Sequence, residues 1–208
     1  MNDQAKVWVG EFGEEYARRS PGDPISNRAF FRRAIGTRIV AGNIASLIEF
    51  GAGVGSNLVA LREMLPQARI DALEINPAAL EHLIATGAAN VVYQSSMTDW
   101  INPQPAQYDL AFTKGVLIHI PPADLGHAYA ALYQASRRYI LLAEYYAPKH
   151  TEIEYRGRRD MLWKGDFAGE MLDIYPDLHL IDYGFTYHRD INPQDDLNWF
   201  LLEKRHVQ

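Results

Sequence analysis

Three features of the chain predict an α/β fold: a mostly parallel seven-stranded sheet with helices on both faces and an antiparallel last strand. The first is Ser46-Leu47-Ile48-Glu49-Phe50-Gly51-Ala52-Gly53-Val54-Gly55-Ser56-Asn57, an apolar run that feeds a glycine at every second position. The helical pattern Leu58, Leu61, Met64, Leu65 follows at once, so the stretch reads as strand, tight turn and helix. The second is a regular alternation of strand-like and helix-like segments from residue 46 onward, which calls for parallel strands joined by right-handed crossovers. The third is the ending. Two strand-like runs, 178–188 and 198–203, have only residues 189–197 between them, too few for a packed helix, so this pair is expected to be antiparallel.

Taken in order, residues 1–45 are too long for a tail. Val7, Trp8, Phe12 and Tyr16 carry aromatic and apolar weight at near-helical spacing around Gly10 and Gly13, and Pro21-Gly22-Asp23-Pro24 breaks the chain. Ser26 or Asn27 then caps a helix through Phe30, Phe31, Ala34, Ile35 and Ile39, ending near Gly42. Two helices packed on the sheet is one reading of this segment. A helical lid, in which Trp8 and Tyr16 close over a ligand and exclude water, is the other, and different faces can serve both. Residues 46–208 form the remaining, ligand-binding and catalytic unit of what is expected to be a single domain.

Within that unit the expected strands are 46–50, 69–75, 90–94, 108–113 and 138–145, followed by the antiparallel pair. The expected helices are 55–65, 77–86, 121–136 and 166–175. Pro77 suits a first helical turn, where its missing N–H has no partner to lose.

In a doubly wound sheet, ligands bind beyond the carboxyl ends of the strands. The residues there are Gly51, Gly53, Gly55 and Asn57 after the first strand, and Glu74 and Ile75 after the second. Ser95, Ser96, Met97 and, further on, Asp99 follow the third; Thr113, Lys114, Gly115 and His119 the fourth; and Glu144, Tyr145 and Tyr146 the fifth. The turn is flexible enough to let a nucleotide-like ligand approach its backbone, and the helix behind it presents free N–H groups. Its spelling is E-x-G-x-G-x-G, with Glu49 two residues before Gly51. The dinucleotide fingerprint G-x-G-x-x-G instead needs a third glycine where this chain has Ser56. The acid that ends the second strand, Glu74, can accept both hydroxyls of a ribose.

The E-x-G-x-G-x-G turn followed by Glu74 resembles motif I and its sequel in class I S-adenosylmethionine-dependent methyltransferases. Six further stretches are similar to one family among them, the pseudaminic acid biosynthesis-associated methylases. They are 7–13 (VWVGEFG), 112–120 (FTKGVLIHI), 143–146 (AEYY), 155–157 (YRG), 166–172 (DFAGEML) and 182–185 (DYGF). The likeness runs over nearly the whole chain. It implies a Rossmann-like fold and methyl transfer from S-adenosylmethionine, which leaves as S-adenosylhomocysteine. The acceptor it implies is an oxygen or nitrogen of a small polar metabolite, such as an amino sugar, a nonulosonic-acid-like compound or another carboxylate-bearing intermediate.

By the same resemblance, Glu49, Gly51, Gly53, Gly55 and Asn57 approach the methionine and ribose parts of the cofactor, and Glu74 with Ile75 holds the ribose. Ser96 and Met97 contact adenine, although many relatives have an acid where Ser96 stands, and Asp99 is the alternative contact. Thr113 and Lys114 lie by the methionine amino group, and Tyr16 belongs to the cofactor side of the lid.

His119 is the candidate general base, because an imidazole titrates near neutral pH; a packing or capping histidine is the plainer reading. Glu144 is the second catalytic candidate, or an anchor of its strand end. Trp8, Tyr145, Tyr146 and Arg156 are the candidate substrate contacts. Arg156 belongs to a basic loop with Lys149, His150, Arg158, Arg159 and Lys164, which suits a carboxylate or phosphate, though charged loops are usually just solvated.

Composition narrows the classes further. At 208 residues, 48% hydrophobic and 22% charged, the chain is ordinary for a globular domain. It has no cysteine, so thiolate chemistry and disulfides are excluded. A formal charge of −6 argues against a nucleic-acid partner. No apolar run approaches the roughly 20 residues needed to span a bilayer, and no signal peptide is visible, so no membrane partner and a cytoplasmic location are expected. His188, Asp190, Asp195 and Asp196 lack tight ligand spacing, and no metal is expected. Oligomeric state is left open. Two alternatives stand beside the methyltransferase: an NAD(P)-dependent oxidoreductase on the same strand-turn-helix, and a nucleotide-binding protein without turnover.

Overall fold

The computed structural model of the protein describes residues 3–19, 22–101 and 104–205, so Pro21 of the expected chain break lies outside the described residues. Seven strands form one sheet in the order β3-β2-β1-β4-β5-β9-β8. They are β1 (Ser46–Phe50), β2 (Arg69–Glu74), β3 (Val91–Gln94), β4 (Tyr108–Lys114), β5 (Ser136–Glu144), β8 (Leu178–Phe185) and β9 (Asn198–Lys204). The first five run parallel, with Phe50 opposite Leu73 and Glu49 opposite Phe112. The last strand, β9, inserts antiparallel between β5 and β8, placing Glu144 opposite Asn198. This is the sheet that the resemblance to class I methyltransferases implies. A dinucleotide-binding sheet, ordered 3-2-1-4-5-6, lacks that inserted last strand.

Because side chains alternate across a strand, the apolar residues of the buried central strands divide between two cores. Leu47, Leu110, Phe112 and Leu141 face one way and pack under α3 (Pro24–Val40), α4 (Ser56–Met64) and α5 (Pro77–Thr86), through Phe30, Phe31, Ile35, Leu58, Leu61 and Leu83. Ile48, Phe50, Ala111, Ile140 and Leu142 face the other way. They pack under α6 (Leu125–Ala135) and α7 (Phe167–Ile174), through Leu125, Tyr129, Leu132, Phe167 and Met171. Burial of each leucine, isoleucine or phenylalanine among them is worth about 1.5–3 kcal/mol, so the sheet is held from both sides.

The amino-terminal segment differs from expectation. It holds α1 (Asp3–Val9) and α2 (Glu11–Arg19), interrupted at Gly10, before α3. Of the three, α3 is the one whose buried face joins the sheet core. Its cap is neither Ser26 nor Asn27. Asp23 accepts from the N–H groups of Ile25 (3.0 Å) and Ser26 (3.3 Å), with Pro24 in the first turn. Ser26 and Asn27 lie inside the helix, where both are buried. The expected helix from 121 shortens to α6, preceded by a 3-10 turn at Pro122–Asp124, and β5 begins directly at Ser136.

The basic loop between β5 and α7 is a hairpin. Its two-residue strands β6 (Thr151–Glu152) and β7 (Trp163–Lys164) pair antiparallel, and Ile153 donates to the Leu162 carbonyl at 2.9 Å. Tyr155 and Arg158 exchange two backbone hydrogen bonds of 2.9 and 3.0 Å around Arg156 (φ 53) and Gly157 (φ 73). Two positive φ values in a two-residue hairpin tip are the mirror-image turn whose twist suits β-strands. No described helix is long and apolar enough to cross a membrane.

Candidate active site

A cavity of about 630 Å³ opens at the carboxyl ends of β1, β2 and β4. Its floor begins with the glycine turn, whose three glycines have different duties. A Cβ at Gly51 would sit 2.7 Å from a methyl of Val116, and one at Gly55 2.6 Å from Leu83, so these two admit packing neighbours. A Cβ at Gly53 (φ 54) would meet nothing within 4 Å; this is the glycine that faces open space. The backbone N–H of Gly53 donates to Glu74 Oε2 and that of Asn76 to Glu74 Oε1, both at 2.7 Å. Glu74 is 7% exposed, and burial raises its pKa above the ordinary carboxylate value. Each oxygen keeps a second lone pair, which is the acceptor pair a ribose diol requires.

Gly55 caps α4 in the left-handed region with no side-chain bond to the helix, so the first N–H groups of α4 remain available beside the cavity. Asn57, in that first turn, donates from Nδ2 to Glu49 Oε1 at 2.6 Å, and its Oδ1 is buried without a partner. Glu49 is fully buried; desolvation pushes its pKa up to about 8. Lys114 Nζ donates to Asn27 Oδ1 at 3.2 Å, and burial lowers its pKa.

Of the sequence candidates, the cavity brings together Gly51, Gly53, Asn57, Glu74, Ile75, Ser96, Met97, Lys114, His119, Trp8 and Tyr16. Glu49, Gly55, Thr113, Glu144, Tyr145, Tyr146 and Arg156 do not line it. Glu49 and Gly55 stand one layer behind, against Asn57 and Leu83. Glu144, 4% exposed, accepts from the N–H groups of Val116 (3.0 Å) and Ile118 (3.3 Å) and so holds the turn that carries His119; burial pushes its pKa up to about 7. Tyr146 is exposed and tilts on Phe200, and Lys164 lies over the Tyr145 ring. Arg156 sits at the hairpin tip over Tyr155. Asp99 closes a turn through its N–H to the Ser96 carbonyl and does not line the cavity.

His119 lies in a 3-10 turn, Leu117–His119. Its Nδ1 is 2.7 Å from the Met161 carbonyl, which only accepts, so Nδ1 carries the proton and Nε2 the lone pair. Burial lowers its pKa to about 4, which keeps the ring neutral at pH 7. The ring stands between Trp8 (centroids 4.7 Å apart) and Tyr155 (5.2 Å).

The roof comes from α1 and α2. Trp8 also meets Phe12 and Tyr16 edge-on at 5.3 and 5.4 Å, and its carbonyl accepts from Asn76 Nδ2 at 2.7 Å. A Cβ on Gly13 would lie 1.9 Å from that same carbonyl, so α2 crosses it at a distance only glycine allows. Asn27, Asn76, Gln194 and Asp195 also line the cavity and were not singled out as site residues. Asn76 had a local signal, since it precedes Pro77 and caps α5 through the Ala79 N–H at 2.9 Å. Gln194, which donates to Asn27 Oδ1 at 3.2 Å across 167 residues, had none.

Asp190 pairs with Arg33 and Asp196 with His188, and among the described residues no group of three or more acids and histidines is placed to hold a metal.

Residues 48–138 match a family model described as a methyltransferase domain. No curated protein matches the chain by sequence. Among solved structures, the chain resembles magnesium protoporphyrin IX methyltransferase from Synechocystis PCC 6803, solved with bound S-adenosylhomocysteine (TM-score 0.71, 15% identity, 98% of this chain and 100% of that one). It also resembles a Leishmania major S-adenosylmethionine-dependent methyltransferase (0.71, 19%, 99% and 87%). A third is the sugar N-methyltransferase KedS8 from a Streptoalloteichus species (0.65, 16%, 95% and 94%). Residues 48–138, matched as a methyltransferase domain, include the Gly53–Glu74 cradle, and the chain as a whole has the fold of class I methyltransferases.

Proposed function

We propose that the protein methylates an oxygen or nitrogen of a small polar metabolite in the cytoplasm. The proposed acceptor is an amino sugar, a nonulosonic-acid-like compound or another carboxylate-bearing intermediate. This places the chain beside the pseudaminic acid biosynthesis-associated methylases, a reading supported by the stretches around Trp8, Lys114, Glu144 and Arg156 and by the sugar methyltransferase among its structural neighbours.

When bound, S-adenosylmethionine supplies an electrophilic methyl group and leaves as S-adenosylhomocysteine. Glu74 accepts the ribose hydroxyls, Asn57 Oδ1 accepts from the amino group, and Ser96 and Met97 flank the adenine. Residues of 1–45 serve as the lid over the catalytic unit 46–208, with α1 and α2 as its closing part; Trp8 and Tyr16 exclude water. His119 accepts the acceptor's proton at Nε2, while the Met161 carbonyl holds the ring in that tautomer. Glu144 positions His119 through the turn at 116–118.

The observation that carries this reading is the Glu74 carboxylate held by Gly53 and Asn76 beside an open glycine backbone. Calorimetric titration with S-adenosylhomocysteine, with NAD as the competing ligand, tests it on the wild type and Glu74→Ala. Micromolar binding of the homocysteine product, weakened in the variant, supports it; binding of NAD alone overturns it. A methyl-transfer screen over amino sugars and small carboxylates then addresses the acceptor.

A further inference from the structure

A second cavity, of about 660 Å³, adjoins the first and shares Gln4 and Pro121 with it. One wall is α1; the other is the hairpin of residues 151–164, through Met161 and Trp163, each under a tenth exposed. The cavity therefore reaches the segment whose Met161 carbonyl fixes the tautomer of His119.

Its polar lining is two guanidiniums, Arg158 and Arg159, against one carboxylate, Asp160. Neither arginine has an ion-pair partner among the described residues, although most other arginines of the protein do. Arg158 instead stacks its guanidinium over Phe12 of α2, at 5.2 Å. Gln4 is 9% exposed, and its Nε2 has no hydrogen-bond partner. A buried donor left unpaired is costly, so one at the junction of two cavities calls for an acceptor.

The loop is also built rather than slack. Asp160 holds φ 57, a conformation unfavourable to a side chain, and its N–H donates to Glu152 Oε1 at 2.9 Å. The positive-φ turn at 156–157 sets Arg156 at the tip, outside the cavity, and leaves Arg158 and Arg159 to line it.

We infer that the space between α1 and this hairpin is the subsite for the methyl acceptor, and that it takes a small oxyanion-bearing molecule whose carboxylate or phosphate is held by Arg158 and Arg159. Gln4 donates to the same molecule, Trp163 and Met161 cover its apolar part, and its nucleophilic atom reaches His119 in the first cavity. The contact of Arg158 with Phe12 links an occupied subsite to a closed lid. This assignment rests on the methyltransferase reading.

The test uses the full chain loaded with S-adenosylhomocysteine. Arginine Nε and tryptophan indole resonances are followed during titration with inorganic phosphate and, separately, acetate, against chloride at constant ionic strength. Saturable shifts at Arg158, Arg159 and Trp163, absent from Arg156, are expected, and the arm that saturates lower names the preferred oxyanion. In the Arg158→Gln/Arg159→Gln variant the apparent affinity should fall about tenfold or more, with S-adenosylhomocysteine affinity within about twofold of wild type. Normal binding of S-adenosylhomocysteine with no shift beyond chloride, or shifts that survive in the variant, overturns the subsite alone. Failure of the wild type to bind S-adenosylhomocysteine overturns the cofactor reading, and with it the assignment to a methyl acceptor.

Discussion

The floor and the roof of the cavity are built in opposite ways. The floor is backbone at the ends of central strands: Gly53 and Asn76 hold Glu74 through main-chain N–H groups, and Glu49 and Phe50 behind them are fully buried. The roof is side chains from far apart in the sequence. Trp8, Phe12, His119 and Tyr155 meet as edge-on or tilted rings, and the Asn76 bond to the Trp8 carbonyl ties α1 to the floor. Floor geometry is anchored by the sheet; roof geometry depends on contacts worth about 0.5–1.5 kcal/mol each beyond their burial. The floor is therefore the more firmly held of the two surfaces.

The largest effect should come where roof and floor meet. His119→Ala is expected to lower kcat about 10²–10⁴-fold, the usual contribution of a general base. In the wild type, burial moves the acid limb of kcat/KM down toward pH 4, because His119 is already neutral above that value. A limb near 6.5, the value of a solvated imidazole, would show that the ring is not held as described.

Breaking the floor comes next. Glu74→Ala removes the acceptor proposed for both ribose hydroxyls, and S-adenosylhomocysteine should bind about 100-fold more weakly in calorimetry. If the loss is less than threefold, Glu74 is a strand-end anchor and the floor is not the cofactor cradle.

Gly13→Ala strikes the roof where it crosses the Asn76 side chain. The added Cβ collides with the Trp8 carbonyl, and overpacking of this kind costs about 1–3 kcal/mol. Hydrogen exchange should quicken across 3–19 while the sheet is unchanged, and activity should fall further than cofactor affinity. Equal exchange in sheet and lid would mean that the two regions unfold as one.

Floor and roof also differ in how the stability they contribute depends on pH. Glu49 has its folded pKa raised, from 4.5 to about 8, so between those values the folded chain binds more protons than the unfolded one. Stability then falls as pH rises through that window, by an amount on the order of a few kcal/mol. His119 acts oppositely: its folded pKa is depressed to about 4, and stability falls as pH drops from 6.5 toward 4. Glu49→Gln should remove the fall in stability between pH 4.5 and about 8 and leave the profile below pH 4.5 unchanged.

Much of the frame was legible in the sequence. β1 and α5 match their expected bounds, and the antiparallel last pair follows from the short connection at 189–197. Glu74 and Gly53 were legible because strand end, turn and helix start are adjacent in the chain. The roof was less so. Near-helical spacing of Val7, Trp8, Phe12 and Tyr16 gave helix but not the interruption at Gly10, and the cap of α3 fell on Asp23 because its carboxylate reaches two N–H groups there. The hairpin at 151–164 carries too few alternating positions to announce itself as strand, so Arg156 stood out by sequence while Arg158 and Arg159 line the second cavity.

By itself, the sequence determined the order of the seven sheet strands with the helices between them and the glycine-acid turn, because each depends on a periodicity or spacing within about 25 residues. Tertiary structure alone decided which polar groups face the cavity. It set Glu49, Glu144 and Thr113 behind the lining and brought Gln194 to Asn27 and Met161 to His119. The reason is physical: local period fixes which face a residue occupies, whereas burial and hydrogen-bond partners come from segments that meet only when the sheet has closed.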